Sequence, residues 1–202
     1  MDKKTQALWH KHLQQIRTTT ANQRFKVNID IPNIALFLEQ ELKARLNRDY
    51  IKVSAVESAA KWLHGGNISL ILVGVPGTGK TMLAQSIVSF LNFIGRSTNS
   101  VTAMDLSKMP DTDREFYKDR PILYIDDLGV ERLVSKEYGN DIYPLMEVIS
   151  YRYRKTLPTI LTTNLNEKQI IDRYGLRLQD RLDEQYDKII YRNSSFRKII
   201  KK

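Results

Sequence analysis

The segment GVPGTGKT, residues 74–81, stands directly after the apolar run ISLILV and before a helical pattern that runs to about residue 93. A G-x-x-x-x-G-K-[ST] segment placed between a strand and a helix restricts the fold severely, because its chemistry needs strand end, loop and helix N-terminus in one arrangement. The glycines let the backbone turn with its N–H groups facing inward, and the positive end of the following helix adds to the attraction for phosphate oxygens. Gly74, Val75, Pro76, Gly77, Thr78, Gly79, Lys80 and Thr81 are therefore the candidate phosphate-binding residues. Lys80 is expected to reach the β and γ phosphates of ATP, and the Thr81 hydroxyl to ligate Mg²⁺.

Around this segment, short apolar runs alternate with helical patterns: ISLILV, SVTAM, PILYID, PTILTT and KIIYR read as strands. A helix is expected around residues 142–154, and two short ones flank Gly175. Strands joined by helices predict an α/β core with a five-stranded, mainly parallel sheet between helices, since parallel neighbours need crossover connections. Upstream, residues 5–17 read as a short polar helix, IPNIALFLEQELKARLNRDY as an amphipathic one offering Leu36, Phe37 and Leu42 as its stripe, and residues 53–64 as a third.

A phosphate loop needs an acidic site to hold its metal, and PILYIDD supplies Asp126 and Asp127 at the C-terminal edge of a buried strand, where open α/β sheets bind ligands. Asp126 is the candidate Mg²⁺ partner, acting mainly through the metal's water shell, and Asp127 the candidate for orienting the attacking water. DDLG also reads as a turn beside a helix cap. If the strand PTILTTN lies between the other two, Asn164 is placed to hold the lytic water; its alternative is a cap for the helix beginning near Asn166.

Of the 202 residues none is cysteine, which excludes disulfides, a thiol nucleophile, iron-sulfur clusters and Cys-type zinc sites. The three histidines lie in no ligand-like arrangement. The N-terminus lacks a signal peptide's apolar region and no run is long enough to span a membrane, so a cytoplasmic protein is expected. Lys and Arg number 32 against 23 Asp and Glu, a net charge of +9 that favours polyanionic partners, nucleic acid first. In SYRYRK, tyrosines interleave with Arg152, Arg154 and Lys155, which suits stacking plus phosphate contacts on a nucleic-acid strand; a helix C-terminus attracts the same basic residues through its dipole.

In this order, the phosphate loop, the acidic pair, the TTN strand end and YGLRLQDRL resemble an AAA+ ATPase of the DnaC/IstB-like group, over roughly residues 53–197. That group comprises bacterial replicative-helicase loaders and transposition helper ATPases. The resemblance implies that residues 74–81 are Walker A, Asp126 and Asp127 the Walker B acids and Asn164 sensor 1. Arg181 is by the same resemblance an arginine finger serving the next subunit of an ATP-bound homo-oligomer, with Arg177 as runner-up. It implies single-stranded DNA and a replicative helicase as partners, or double-stranded DNA and a transposase for the helper branch. The chain departs from the group in carrying the shorter Asp127 as second acid, and in having few residues after the last strand, so that no full C-terminal lid is expected and Arg197 is a weak stand-in for sensor 2. Residues 1–48 are read as a helical extension for partner docking and residues 49–202 as the ATPase domain. A nucleotide-gated switch with little turnover is the reading from another functional class.

Overall fold

Alternation along one short strand sets the layers. In β1 (Ser69–Val73), Leu70 and Leu72 are buried on one face and Ile71 on the other, the pattern of a strand covered on both sides. The computed structural model describes residues 27–46, 54–137 and 140–192. It contains β2 (Thr98–Thr102), β3 (Ile122–Leu128), the short pair β4 (Ser135–Glu137) and β5 (Asn140–Ile142), then β6 (Thr159–Thr163) and β7 (Tyr186–Ile190). The main sheet runs β2-β3-β6-β1-β7 with every neighbouring pair parallel, while β4 and β5 form a separate antiparallel pair. The predicted five-stranded sheet is present, and β6 lies between β1 and β3, the placement that brings Asn164 to the phosphate loop.

Three helices cover one face: α1 (Ile34–Leu46), α2 (Ser54–Leu63) and α3 (Lys80–Phe93), packed on Leu70, Leu72, Tyr124 and Ile160. Following them are α4 (Ala103–Lys108), α5 (Asp111–Lys118), α6 (Pro144–Arg154), α7 (Glu167–Tyr174) and α8 (Leu176–Gln185). Of these, α4, α6, α7 and α8 pack on Ile71, Leu123, Ile125 and Leu161 from the other side.

Several boundaries differ from the sequence reading for local reasons. Strand β2 ends at Thr102, not at Met104, because the Thr102 hydroxyl accepts the Asp105 N–H at 3.0 Å and starts α4. Helix α6 begins at Pro144, a residue suited to the first helical turn, while Ile142 belongs to β5. The stripe of α1 is Ile34, Leu38 and Leu42, spaced by four, and Leu36 is 52% exposed. Phe37 is partly buried, its ring 4.9 Å from that of Phe90 and 5.6 Å from that of Phe93 on α3. The helix expected over residues 5–17 and Arg197 lie outside the described residues.

Candidate functional site

Three adjacent strands, β3, β6 and β1, end at the same edge of the sheet, and each delivers polar groups there. From β1 the chain enters the loop 74–79, in which Gly77 at φ 84° and Gly79 at φ 92° take left-handed conformations that a side chain disfavours. Gly79 caps α3 without any side chain, which leaves the helix N-terminus open to an anion. The buried Thr78 hydroxyl donates to the carbonyl of Val75 at 2.9 Å and staples the loop.

Lys80, the first residue of α3, is buried, and its ammonium donates to the carbonyls of Gly74 at 2.7 Å and Val75 at 3.0 Å. A third bond, 2.8 Å long, runs to the amide oxygen of Asn164. The cap of α7 is Asn166, whose side chain and that of Gln169 form a reciprocal capping box. Asn164 is thus left to the phosphate loop.

One oxygen of Asp126 collects three hydroxyl donors: Thr81 at 3.1 Å, Tyr124 at 2.5 Å and Thr162 at 2.5 Å. Burial first and the adjacent Asp126 second raise the Tyr124 phenol above its usual range, so it stays a donor. A hydroxyl and a carboxylate this close are hard oxygen ligands of the kind Mg²⁺ takes, and the residues fit that ion. Tyr124 escaped the sequence reading although a period of two places it on the same strand face as Asp126.

At Asp127 the strand breaks step. Ile125 pairs with Leu161 and Leu128 with Thr163, so β3 carries one residue more than β6 across the same interval, a β-bulge. Asp127 has φ 56°, and its N–H donates to the Thr162 hydroxyl at 2.9 Å. Bulges re-aim side chains at site edges, and this one sets two consecutive carboxylates in different backbone conformations.

The two arginines of α8 are placed differently. Arg177 is exposed, whereas Arg181 is only 8% exposed, donates to the Ser150 hydroxyl of α6 and lies 5.1 Å over the Tyr153 ring. Burial, then the nearby Arg177 and Arg154, lower the pKa of Arg181, while Tyr153 opposes them.

SYRYRK is not a nucleic-acid strip as a unit. Arg152 is 1% exposed and bonds Thr159 Oγ1 together with the carbonyls of Tyr117, Lys118, Arg120 and Pro158, at 2.7–3.2 Å. Burial lowers its pKa to about 10. The hydroxyls of Tyr151 and Tyr153 donate to Asp119 and Glu184, leaving Arg154 and Lys155 as the exposed cations of the segment. Among the described residues, the acids Asp111, Glu115 and Glu147 converge on Lys118, whose ammonium bonds Glu115 and Glu147, and Asp111 pairs with Arg114 at 3.2 Å.

The family described as Novel STAND NTPase 3 (nSTAND3) matches residues 50–201. The replicative helicase loader DnaC of Escherichia coli strain K12 is 31% identical over 141 residues, which is 65% of this chain and 58% of that protein. The chain therefore spans 58% of the length of the curated relatives it matches. A crystal structure of the DnaC helicase loader is similar in fold, with TM-score 0.58 at 24% identity over 72% of this chain and 94% of that one. The replication initiator DnaA bound to AMPPCP and single-stranded DNA gives TM-score 0.56 at 22% identity over 77% of this chain and 52% of that one.

Proposed function

The chain belongs to the Novel STAND NTPase 3 family and has the fold of the DnaC helicase loader, and from that premise we propose that it is a DnaC/IstB-like AAA+ ATPase and an ATP-dependent DNA replication factor: a cytoplasmic helicase loader that binds ATP with Mg²⁺ and single-stranded DNA. The observation that carries the nucleotide part is the meeting of Lys80, Thr81, Asp126 and Asn164 at the ends of three adjacent strands. The loop 74–79 and the N-terminus of α3 hold the phosphates, with Lys80 exchanging its loop carbonyls for β and γ oxygens. Thr81 and Asp126 would hold Mg²⁺, which when bound supplies positive charge against the charge developing on the phosphoryl oxygens. Asp127 and Asn164 orient the attacking water between them.

Completion of the site is assigned to assembly, with α8 of a neighbouring subunit supplying the finger; Arg181 is the candidate by its place in LQDRL. Partner docking is assigned to residues 1–48, of which residues 27–46 pack into the core of the ATPase domain of residues 49–202. Because Ile34, Leu38 and Leu42 of α1 are buried in the same core as α2 and α3, a deletion that tests docking should stop at residue 26. Retention of a replicative helicase by the shortened protein would rule out docking through residues 1–26.

The deciding experiment is ATP hydrolysis across protein concentration, with single-stranded or double-stranded DNA at one fixed salt concentration. A rate per subunit that rises with concentration and with single-stranded DNA is the expected result. Stimulation by double-stranded DNA alone would move the protein to the transposition-helper branch. A low, flat rate with tight ATP binding would make it a nucleotide-gated switch.

A further inference from the structure

Glu131 stands four residues after Asp127, and its side chain is fully enclosed, at 0% exposure. An enclosed carboxylate persists only when its oxygens are bonded and its charge is met, and both conditions hold. One oxygen accepts the N–H of Gly129 at 2.8 Å. The other accepts the hydroxyl of Tyr174 and lies 3.4 Å from the guanidinium of Arg173, which also donates to the Glu131 carbonyl. Arg173 and Tyr174 are the last two residues of α7, so the carboxylate fastens the turn after β3 to a helix.

That turn begins at Asp127. Its left-handed backbone, φ 56°, is one a side-chain-bearing residue keeps only when its surroundings hold it. On one side the hold is the bond from the Asp127 N–H to Thr162, and the Val130 N–H closes the turn on the Asp127 carbonyl at 3.3 Å. On the far side the hold is Glu131, through Gly129.

We propose that Glu131 is a positioning residue for Asp127, fixing the turn 127–131 against α7 so that the second acid keeps the backbone conformation its role requires. The inference rests on the reading of Asp127 as the water-orienting carboxylate. Glu131 touches none of the groups assigned to phosphate or metal, so its effect is expected on turnover and not on nucleotide affinity.

The test compares the full-length protein with Asp127→Asn, Glu131→Gln and the double variant, measuring ATP hydrolysis, affinity for a fluorescent ATP analogue, and amide hydrogen exchange over residues 127–131. Asp127→Asn should lower kcat by about tenfold or more, and Glu131→Gln by roughly threefold to tenfold, each with affinity within about twofold of wild type. Glu131→Gln should speed exchange in the turn, and in the Asp127→Asn background it should lower kcat no further. Wild-type turnover by folded Glu131→Gln, beside a slow Asp127→Asn, would overturn the inference alone, as would losses that simply multiply. Wild-type turnover by Asp127→Asn would overturn the reading of Asp127 and the inference with it. Should Glu131→Gln fail to fold, Tyr174→Phe decides: it removes one donor to the carboxylate and should lower kcat without changing affinity, and unchanged turnover overturns the proposal.

Discussion

The ammonium of Lys80 and the amide oxygen of Asn164, 84 residues apart in sequence, lie 2.8 Å from each other. This contact joins the phosphate loop to the strand that separates it from the acidic strand, so the lysine's position depends on β6 as well as on its own loop. Lys80→Ala is expected to weaken ATP binding with little loss of fold, because the side chain serves phosphate rather than apolar packing. Asn164→Ala should leave affinity near wild type and slow hydrolysis by about tenfold or more. Titration with a fluorescent ATP analogue beside a steady-state assay separates the two, and unchanged affinity and hydrolysis in Lys80→Ala would count against the site.

Arg181 is held by Ser150 and Tyr153 within its own subunit, so service to a neighbour's nucleotide requires its release. Arg181→Ala should leave ATP binding intact in dilute protein, lower the assembled rate by on the order of 10³-fold, and lower the Tm through the lost contacts on α6. If Arg177→Ala instead abolishes the gain on assembly while Arg181→Ala retains it, the finger lies one turn earlier, on the side chain already exposed. Sedimentation paired with the rate assay distinguishes loss of the finger from loss of assembly.

Arg152 shows what a sequence reading of this chain could and could not reach. The phosphate loop, the two acids and β6 between them were legible because apolar runs fix strands and a run ends where its polar residues begin. SYRYRK was not, since a tyrosine-arginine alternation serves equally to stack on bases or to fill a helix end with cations, and only the fold reveals that Arg152 meets the free carbonyls at the end of α5. Helix α5 itself was hidden because it buries Arg114 and Lys118, charged residues that disguise an inward face. Glu131 gave no signal, as nothing in DDLGVER distinguishes an enclosed acid from a solvated one.

Replacing that arginine is accordingly a matter of stability. Arg152→Met strips five hydrogen-bond acceptors of their donor, three of them carbonyls between residues 117 and 120. A loss of about 3–5 kcal/mol is expected, the scale for breaking a buried charged network. Arg152→Lys should recover only part of it, because one ammonium cannot span the same acceptors. Urea unfolding gives the values; a variant as stable as wild type would show that these bonds contribute nothing net.

Tyr186, at the start of β7, gives the fold an alkaline limit. Burial raises its phenol from 10.0 to about 12, while Arg152, Thr159 and Ser69 pull the other way. Below the unfolded value both states keep the proton, and the residue's contribution to stability is fully present. Between 10.0 and about 12 the unfolded chain loses this proton and the folded chain keeps it, so the phenol's own contribution falls by up to about 1.4 kcal/mol per pH unit in that window, a slope that the lowered pKa of Arg152 opposes and that comparison with Tyr186→Phe isolates. Tyr186→Phe should be less stable than wild type at neutral pH, because Thr159 and Ser69 lose a partner, yet fall less steeply above it. Urea midpoints collected between about pH 8 and about pH 11 should therefore show the gap between the two proteins narrowing. A constant gap would mean that the phenol titrates alike in both states and that its burial does not govern its proton.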